Sequence, residues 1–289
     1  MLCVLKKSLA TTLYLYSTLV GVVYILQRKL QYFPDKSVPP AISSLPHDFH
    51  AMRDISVVTD DGYTLQGWYL PASSSRTFST TSSITVLHLH GNAGNRLHRL
   101  FWAREIQSRF GCAVVLFDYR GYGGNLGSIS ETGLIRDANA AITWTCSQAK
   151  KTNHKVVLHL ESIGSAVGLS AIACDPASHC IHGVVSEGGL SSCLDLATKM
   201  FPFLPVRLLL KDTWTETLKG AESLGKETQY LGLHGAKDQV VPVWSGRKLY
   251  ERVSCAKTFV TFPYGNHNDL LLQPGYFDAI RTLYTSIQR

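Results

Sequence analysis

"HLESIGSA", residues 159 to 166, has the form of a turn that lifts a nucleophilic serine out between a strand and a helix, except that leucine stands where the first small residue of such a turn belongs. The turn works only if a buried strand enters it and a helix leaves it, because that junction raises the hydroxyl above the sheet and aims the helix amino terminus at the site. Both conditions hold around Ser162. Lys155 to Leu160 is an apolar, β-branched run, and "IGSAVGLSAIAC" brings Gly164, Ser165, Ala166, Gly168 and Ala171 as small faces for a helix packed close to a sheet, with Pro176 beyond its end. The bare pattern small-x-Ser-x-Gly favours Ser223 in "AESLG", and Ser186 in "VSEG" shares its second glycine. Ser223, however, is followed too soon by the next strand, and Ser186 runs into the loop-like "GGLSS". Context therefore selects Ser162. The leucine at 160 would overpack the meeting of strand and helix at a cost of about 1–3 kcal/mol unless small neighbours make room.

Outward from this turn, short apolar runs alternate with helical stretches: "ITVLHLH", "CAVVLFDY", "KVVLHL", "HGVVSE", "QYLGLHG" and "KTFVTFP". Buried parallel strands read this way, so the chain is predicted to fold as an α/β protein with a mostly parallel central sheet flanked by helices. Ahead of them, "DISVVT" and "TLQGWYL" flank "DDG" at 60 to 62 as a hairpin. The polar tract "SSSRTFSTTSS" at 73 to 83 is expected to be a surface loop. No internal repeat is evident.

A lone serine hydroxyl is a poor nucleophile, so a base and its orienting acid must appear at other strand ends. "GLHGAKDQVVP" places Asp238 just past an apolar strand, and "FPYGNHNDL" places His267 in the loop after the last one. Ser, Asp, His is the chain order of the α/β-hydrolase triad. The backbone amides of Ile163 and of Asn92, in "HLHGNAGN", are the expected oxyanion donors. His88 and His90 share one sheet face but lack a third ligand, so no metal is expected. "RGYGGNLG" fits no nucleotide loop, and no cofactor is expected.

Composition bounds the rest. With 289 residues, 45% of them hydrophobic, the chain can bury the core of one larger domain. The net charge of +7 suits an anionic membrane surface, but the basic residues are scattered, which argues against nucleic acid. No obligate protein partner is readable. The seven cysteines lack CxxC spacing; Cys174 and Cys180 are near enough in sequence to pair in an oxidising compartment, and otherwise read as small buried thiols. Ser8 to Gln27 carries no charged side chain and is long enough to cross a bilayer. Residues 8–27 are thus expected to form an uncleaved single-pass anchor with Tyr14, Tyr16, Tyr24 and Tyr32 at its interfaces, 28–49 a linker, and 50–289 the catalytic domain. Basic residues lie on both sides of the anchor and leave its orientation open, and the lack of any Asn-x-Ser/Thr site leans toward the cytosol.

Five motifs, "HGNAGN" (90–95), "DYRGYG" (118–123) with Gly127, Glu131 and Asp137 behind it, the SIG of Ser162, "HGAKDQVVP" (234–242) and "GNHNDL" (265–270), together resemble membrane-anchored α/β-hydrolase domain proteins of the bud-emergence (BEM) type. The resemblance covers residues 28 to 285. It implies a serine hydrolase with one amino-terminal membrane segment, acting on a membrane lipid or an acylated substrate; relatives in this group include enzymes that remove fatty acyl groups from cysteine thioesters. The group's elbow is Gly-x-Ser-x-Gly-Gly, and Leu160 and Ser165 replace two of its glycines here. A long-chain acyl groove is expected in the insertion before Tyr230, at "MFPFLPVRLLL" (200–210), although a helix packed on the sheet would read the same. The alternative to an enzyme is a catalytically silent α/β-hydrolase serving as a membrane-tethered binding module.

Overall fold

A computed structural model describes residues 2–73, 83–174 and 180–288. Most of the 73–83 tract and Pro176 therefore lie outside the described residues. The first element is α1 (Leu2–Gln31), followed by the two-residue β1 (Phe33–Pro34), the hairpin β2 (Arg53–Val58) and β3 (Thr64–Leu70), β4 (Ile84–Leu89) and the short β5 (Ala93–Gly94). Then α2 (Leu100–Phe110), β6 (Ala113–Phe117), α3 (Glu131–Thr152), β7 (Lys155–Glu161), α4 (Ile163–Cys174) and β8 (Ile181–Glu187) alternate. Three short helices follow, α5 (Cys193–Met200), α6 (Val206–Leu209) and α7 (Glu216–Glu222). The chain closes with β9 (Gln229–Gly235), α8 (Val243–Arg252), β10 (Ala256–Phe262) and α9 (Tyr276–Ile287).

Eight strands form one sheet in the order β10-β9-β8-β7-β4-β6-β3-β2. The six from β10 to β6 are parallel, and the β2–β3 hairpin adds antiparallel at the far edge. This is an α/β-hydrolase sheet, and its alternation is read directly from β7. Val156, Leu158 and Leu160 join the buried cluster on the side of α3 and α4, while Val157 joins the one on the side of α2 and α9. Because both faces are covered, the central strands are predominantly apolar, in keeping with the sequence runs.

The structure departs from four expectations. Helix α1 does not stop at residue 27 but continues to Gln31. Nor is 28–49 a free linker: Tyr32, Leu45 and Phe49 are buried, β1 pairs with β5, and the Gly123 amide donates to the Asp35 carbonyl. Apolar side chains spaced along that stretch dock it onto the body. Tyr32 is accordingly a core residue whose hydroxyl accepts a hydrogen bond from the Trp214 indole, not an interfacial aromatic. Cys180 pairs with Cys146 of α3, with Cα atoms 6.0 Å apart, whereas Cys174 is unpaired and exposed. Nearness in sequence did not decide the partner; the docking of α3 beside the start of β8 did.

The 30 residues of α1 measure about 45 Å at 1.5 Å per residue, well over the thickness of a bilayer core. Residues Lys6–Gln31 are long and apolar enough to cross a membrane. The last turns of the helix pack on the α5–α7 insertion. Gln27 donates to the Leu209 carbonyl and accepts from the Lys211 amide, and Arg28 clasps the buried Asp212 carboxylate through two hydrogen bonds of 2.8 and 2.9 Å.

Candidate active site

The strand β7 delivers Ser162 at its carboxyl end, and α4 begins one residue later. Ser162 has φ +54°, a left-handed conformation that costs a non-glycine residue on the order of 1–3 kcal/mol. The surrounding contacts hold it there. Its amide donates to the Glu187 carbonyl on the neighbouring strand, and the Ser165 hydroxyl donates to its carbonyl while accepting from the Leu190 amide. Ser165, which replaces a glycine of the group's elbow, thus ties the turn to the loop after β8.

Leu160 is fully buried, and what makes room for it is a glycine one turn into α4. A Cβ placed on Gly168 would lie 2.6 Å from a methyl of Leu160. Leucine at 160 and glycine at 168 are therefore complementary, and the crowding expected from the sequence is relieved. Gly164 is equally constrained, since a Cβ there would overlap the Leu89 carbonyl oxygen. Leu160→Ala is expected to cost about 2–5 kcal/mol through the cavity it leaves, and Gly168→Ala about 1–3 kcal/mol through overpacking. Because the two side chains compete for one space, the double variant should be more stable than the sum of the single losses by about 1 kcal/mol or more. Denaturant unfolding of the four proteins measures this, and strict additivity would show that the two sites do not touch.

Asp238 and His267 stand where the sequence puts them, after β9 and β10; His267 reaches Ser162, and Asp238 reaches His267. His267 Nε2 lies 2.8 Å from the Ser162 hydroxyl, and its Nδ1 lies 2.7 Å from Asp238 Oδ2. The other carboxylate oxygen accepts the amides of Val240 and Val241 at 2.9 and 2.8 Å, which fixes the orientation of the acid. The "GNHNDL" motif has its own frame: Asp269 accepts from both the amide and the side chain of Asn266, and these bonds hold its carboxyl below its ordinary pKa. Burial pushes the His234 imidazole down, so it is neutral, donating to the Val241 carbonyl 2.7 Å away and bracing the turn that carries Asp238.

Asn92 lies in the loop after β4. Its carbonyl accepts from the Tyr122 hydroxyl, its side-chain oxygen from the Phe33 amide, and its side-chain nitrogen donates to the Gln31 carbonyl. Ile163 is the first residue of α4, where amides have no intrahelical acceptor. Among the described residues, no hydrogen bond is made by the Asn92 or Ile163 amide.

Sequence reasoning missed Glu161 and Arg99. The Arg99 guanidinium grips Glu161 through bonds of 3.0 and 2.8 Å and also donates to the Ala93 carbonyl, so the residue before Ser162 is tied to the Asn92 loop. Burial raises the Glu161 carboxyl, but Arg99 outweighs it and the pKa is lowered. An acidic residue ending an otherwise apolar strand was the available signal. Beneath it, Glu187 accepts from Tyr276 at 2.6 Å and contacts His159 Nε2 at 2.8 Å. His88 and His90 are buried and pushed down by burial, His88 strongly. Among the described residues, no group of three or more His, Cys, Asp or Glu is arranged to hold a metal ion. Ser186 is buried in β8, and Ser223 ends α7 with its hydroxyl donating to the Lys219 carbonyl.

Comparison with known proteins places the chain in a family. Protein bem46 of Schizosaccharomyces pombe is 31% identical over 287 residues, covering 96% of this chain and 92% of the relative. The chain belongs to the Bem46-type α/β-hydrolases. A second relative of this Bem46-type chain, an uncharacterized membrane protein of Saccharomyces cerevisiae, is 36% identical over 230 residues, 78% of this chain and 77% of its own. Among solved structures, an esterase of Pyrococcus furiosus superposes with a TM-score of 0.62 at 19% identity, covering 88% of this chain and 97% of the esterase, a likeness of fold. No family model matches the chain.

Proposed function

We infer that this Bem46-type protein is a membrane-anchored serine hydrolase that cleaves ester or thioester bonds by two-step acyl transfer. The observation that carries the reading is the unbroken relay from Asp238 Oδ2 through His267 to the Ser162 hydroxyl, at 2.7 and 2.8 Å. His267 Nε2 takes the Ser162 proton as Oγ bonds to the acyl carbon. The Ile163 and Asn92 amides receive the charge that develops on the carbonyl oxygen. Collapse breaks the bond to the leaving oxygen or sulfur, which takes the proton back from His267. Water then repeats the sequence and releases the acid.

The membrane assignment draws on the apolar span Lys6–Gln31. Substrates are accordingly a membrane lipid or an acylated molecule at the bilayer, without nucleic acid or an obligate protein partner. A fluorophosphonate probe added to the full chain in phosphatidylcholine nanodiscs should form an adduct on Ser162, read by peptide mass mapping. Folded protein that takes up no label would mark the silent binding module instead.

A further inference from the structure

Between α1 and the α5–α6 segment lies a cavity of about 360 Å³, walled on one side by Val20, Val23 and Tyr24 of the membrane helix and on the other by Leu196, Met200 and Leu204. Nearly all of the lining is aliphatic or aromatic. Its size is at the lower end of small-molecule sites, which run from about 300 to 1,000 Å³, and suits one chain rather than two. At the inner end stand Gln31 and Cys193. The Gln31 carbonyl is the atom to which the Asn92 side chain donates, so a single residue separates the cavity from the loop assigned to the oxyanion. Away from Gln31, the α1 wall continues outward along a helix long and apolar enough to cross a membrane.

We propose that this cavity holds the single fatty-acyl chain of the substrate, entering sideways from the bilayer between α1 and α5–α6, with the acyl carbonyl passing Gln31 and Asn92 to reach Ser162. The proposal rests on the hydrolase reading and adds to it the place where the acyl chain sits and the route by which it enters. One wall being α1 itself, the site exists only where that helix is present. The "MFPFLPVRLLL" run contributes through Met200, Phe201, Leu204, Leu209 and Leu210, while Phe203 and Leu208 point outward at 61% and 85% exposure. The run therefore packs against α1, a wall that the groove expected from the sequence did not include.

Two cavity-filling variants test it, Ala197→Phe from α5 and Val23→Trp from α1, each in full-length protein in phosphatidylcholine nanodiscs. Turnover is measured on p-nitrophenyl esters and on acyl thioesters from two to sixteen carbons. The ratio of long-chain to short-chain kcat/KM is expected to fall by on the order of tenfold or more in each variant. An unchanged ratio in both would overturn the proposal. A readout that needs no turnover separates it from the hydrolase reading: Ser162→Ala protein is photolabelled with a diazirine-bearing palmitic acid. Labelling should map to residues 20–31 and 193–210 and be lost when Ala197→Phe or Val23→Trp is added. Labelling elsewhere, or labelling that both fillings leave intact, would sink the cavity as an acyl site. Cavity labelling in a wild-type protein that turns over no ester would retain the acyl site and reject the chemistry.

Discussion

Ser162→Ala is expected to lower kcat on a short-chain ester by on the order of 10,000- to a million-fold, the range found when the nucleophile of a comparable relay is removed. It should also abolish fluorophosphonate labelling. The residue that remains active in the background is the pair of amides, which still polarise a bound carbonyl, so a small rate above water is expected to survive. Ser162→Gly should be as inactive but more stable by roughly 1 kcal/mol, because glycine adopts the φ of +54° without the Cβ penalty. The contrast matters: loss of activity with a gain in melting temperature cannot come from misfolding. Turnover within tenfold of wild type in either variant would move the chemistry away from Ser162. A cellular role untouched by Ser162→Ala would favour the binding module.

Asp238→Asn is expected to cost about 10,000-fold in kcat while leaving the fold in place. Asp238 Oδ1 must accept the two amides of Val240 and Val241, so an asparagine at 238 keeps its carbonyl oxygen there and turns its NH2 toward His267. An amide donor facing Nδ1 selects the imidazole tautomer with its proton on Nε2, aimed at the serine hydroxyl, and the base is lost. Asp238→Ala removes the orienting group without imposing the wrong tautomer, but takes the acceptor from the Val240 amide and the buried Val241 amide and should be the less stable of the two. Steady-state kinetics with thermal melts decide it. A loss below tenfold in Asp238→Asn would show that His267 needs no orienting acid.

The strands, the elbow and the chain order of Ser162, Asp238 and His267 were legible because each is a local pattern: an apolar run, a turn, a polar residue at its end. The same locality hid what lies between distant elements. Arg99 and Glu161 are 62 positions apart and look like ordinary charges until helix and strand meet. Gly168 reads as a generic small face of α4, and only the packed structure shows that it accommodates Leu160. Tyr32 reads as an interfacial tyrosine in the sequence because composition near an apolar span does not distinguish a headgroup from a protein core. Cys146 lies 34 residues before Cys180, too far for spacing to suggest the pair.

The clasp of Arg28 on Asp212, with Gln27 on either side of Leu210, changes what α1 does mechanically. A flexible connector would let the body swing on a leash and sample solution or a facing surface. A helix gripped at its last two turns is a mast: in a bilayer, its tilt sets the tilt of the whole domain, and the serine keeps one height above the lipid. Under the proposed function, such a hydrolase would search an area rather than a volume. Its working concentration is then counted in molecules per unit of membrane, and its turnover should follow the mole fraction of substrate in the bilayer rather than the amount dissolved around it.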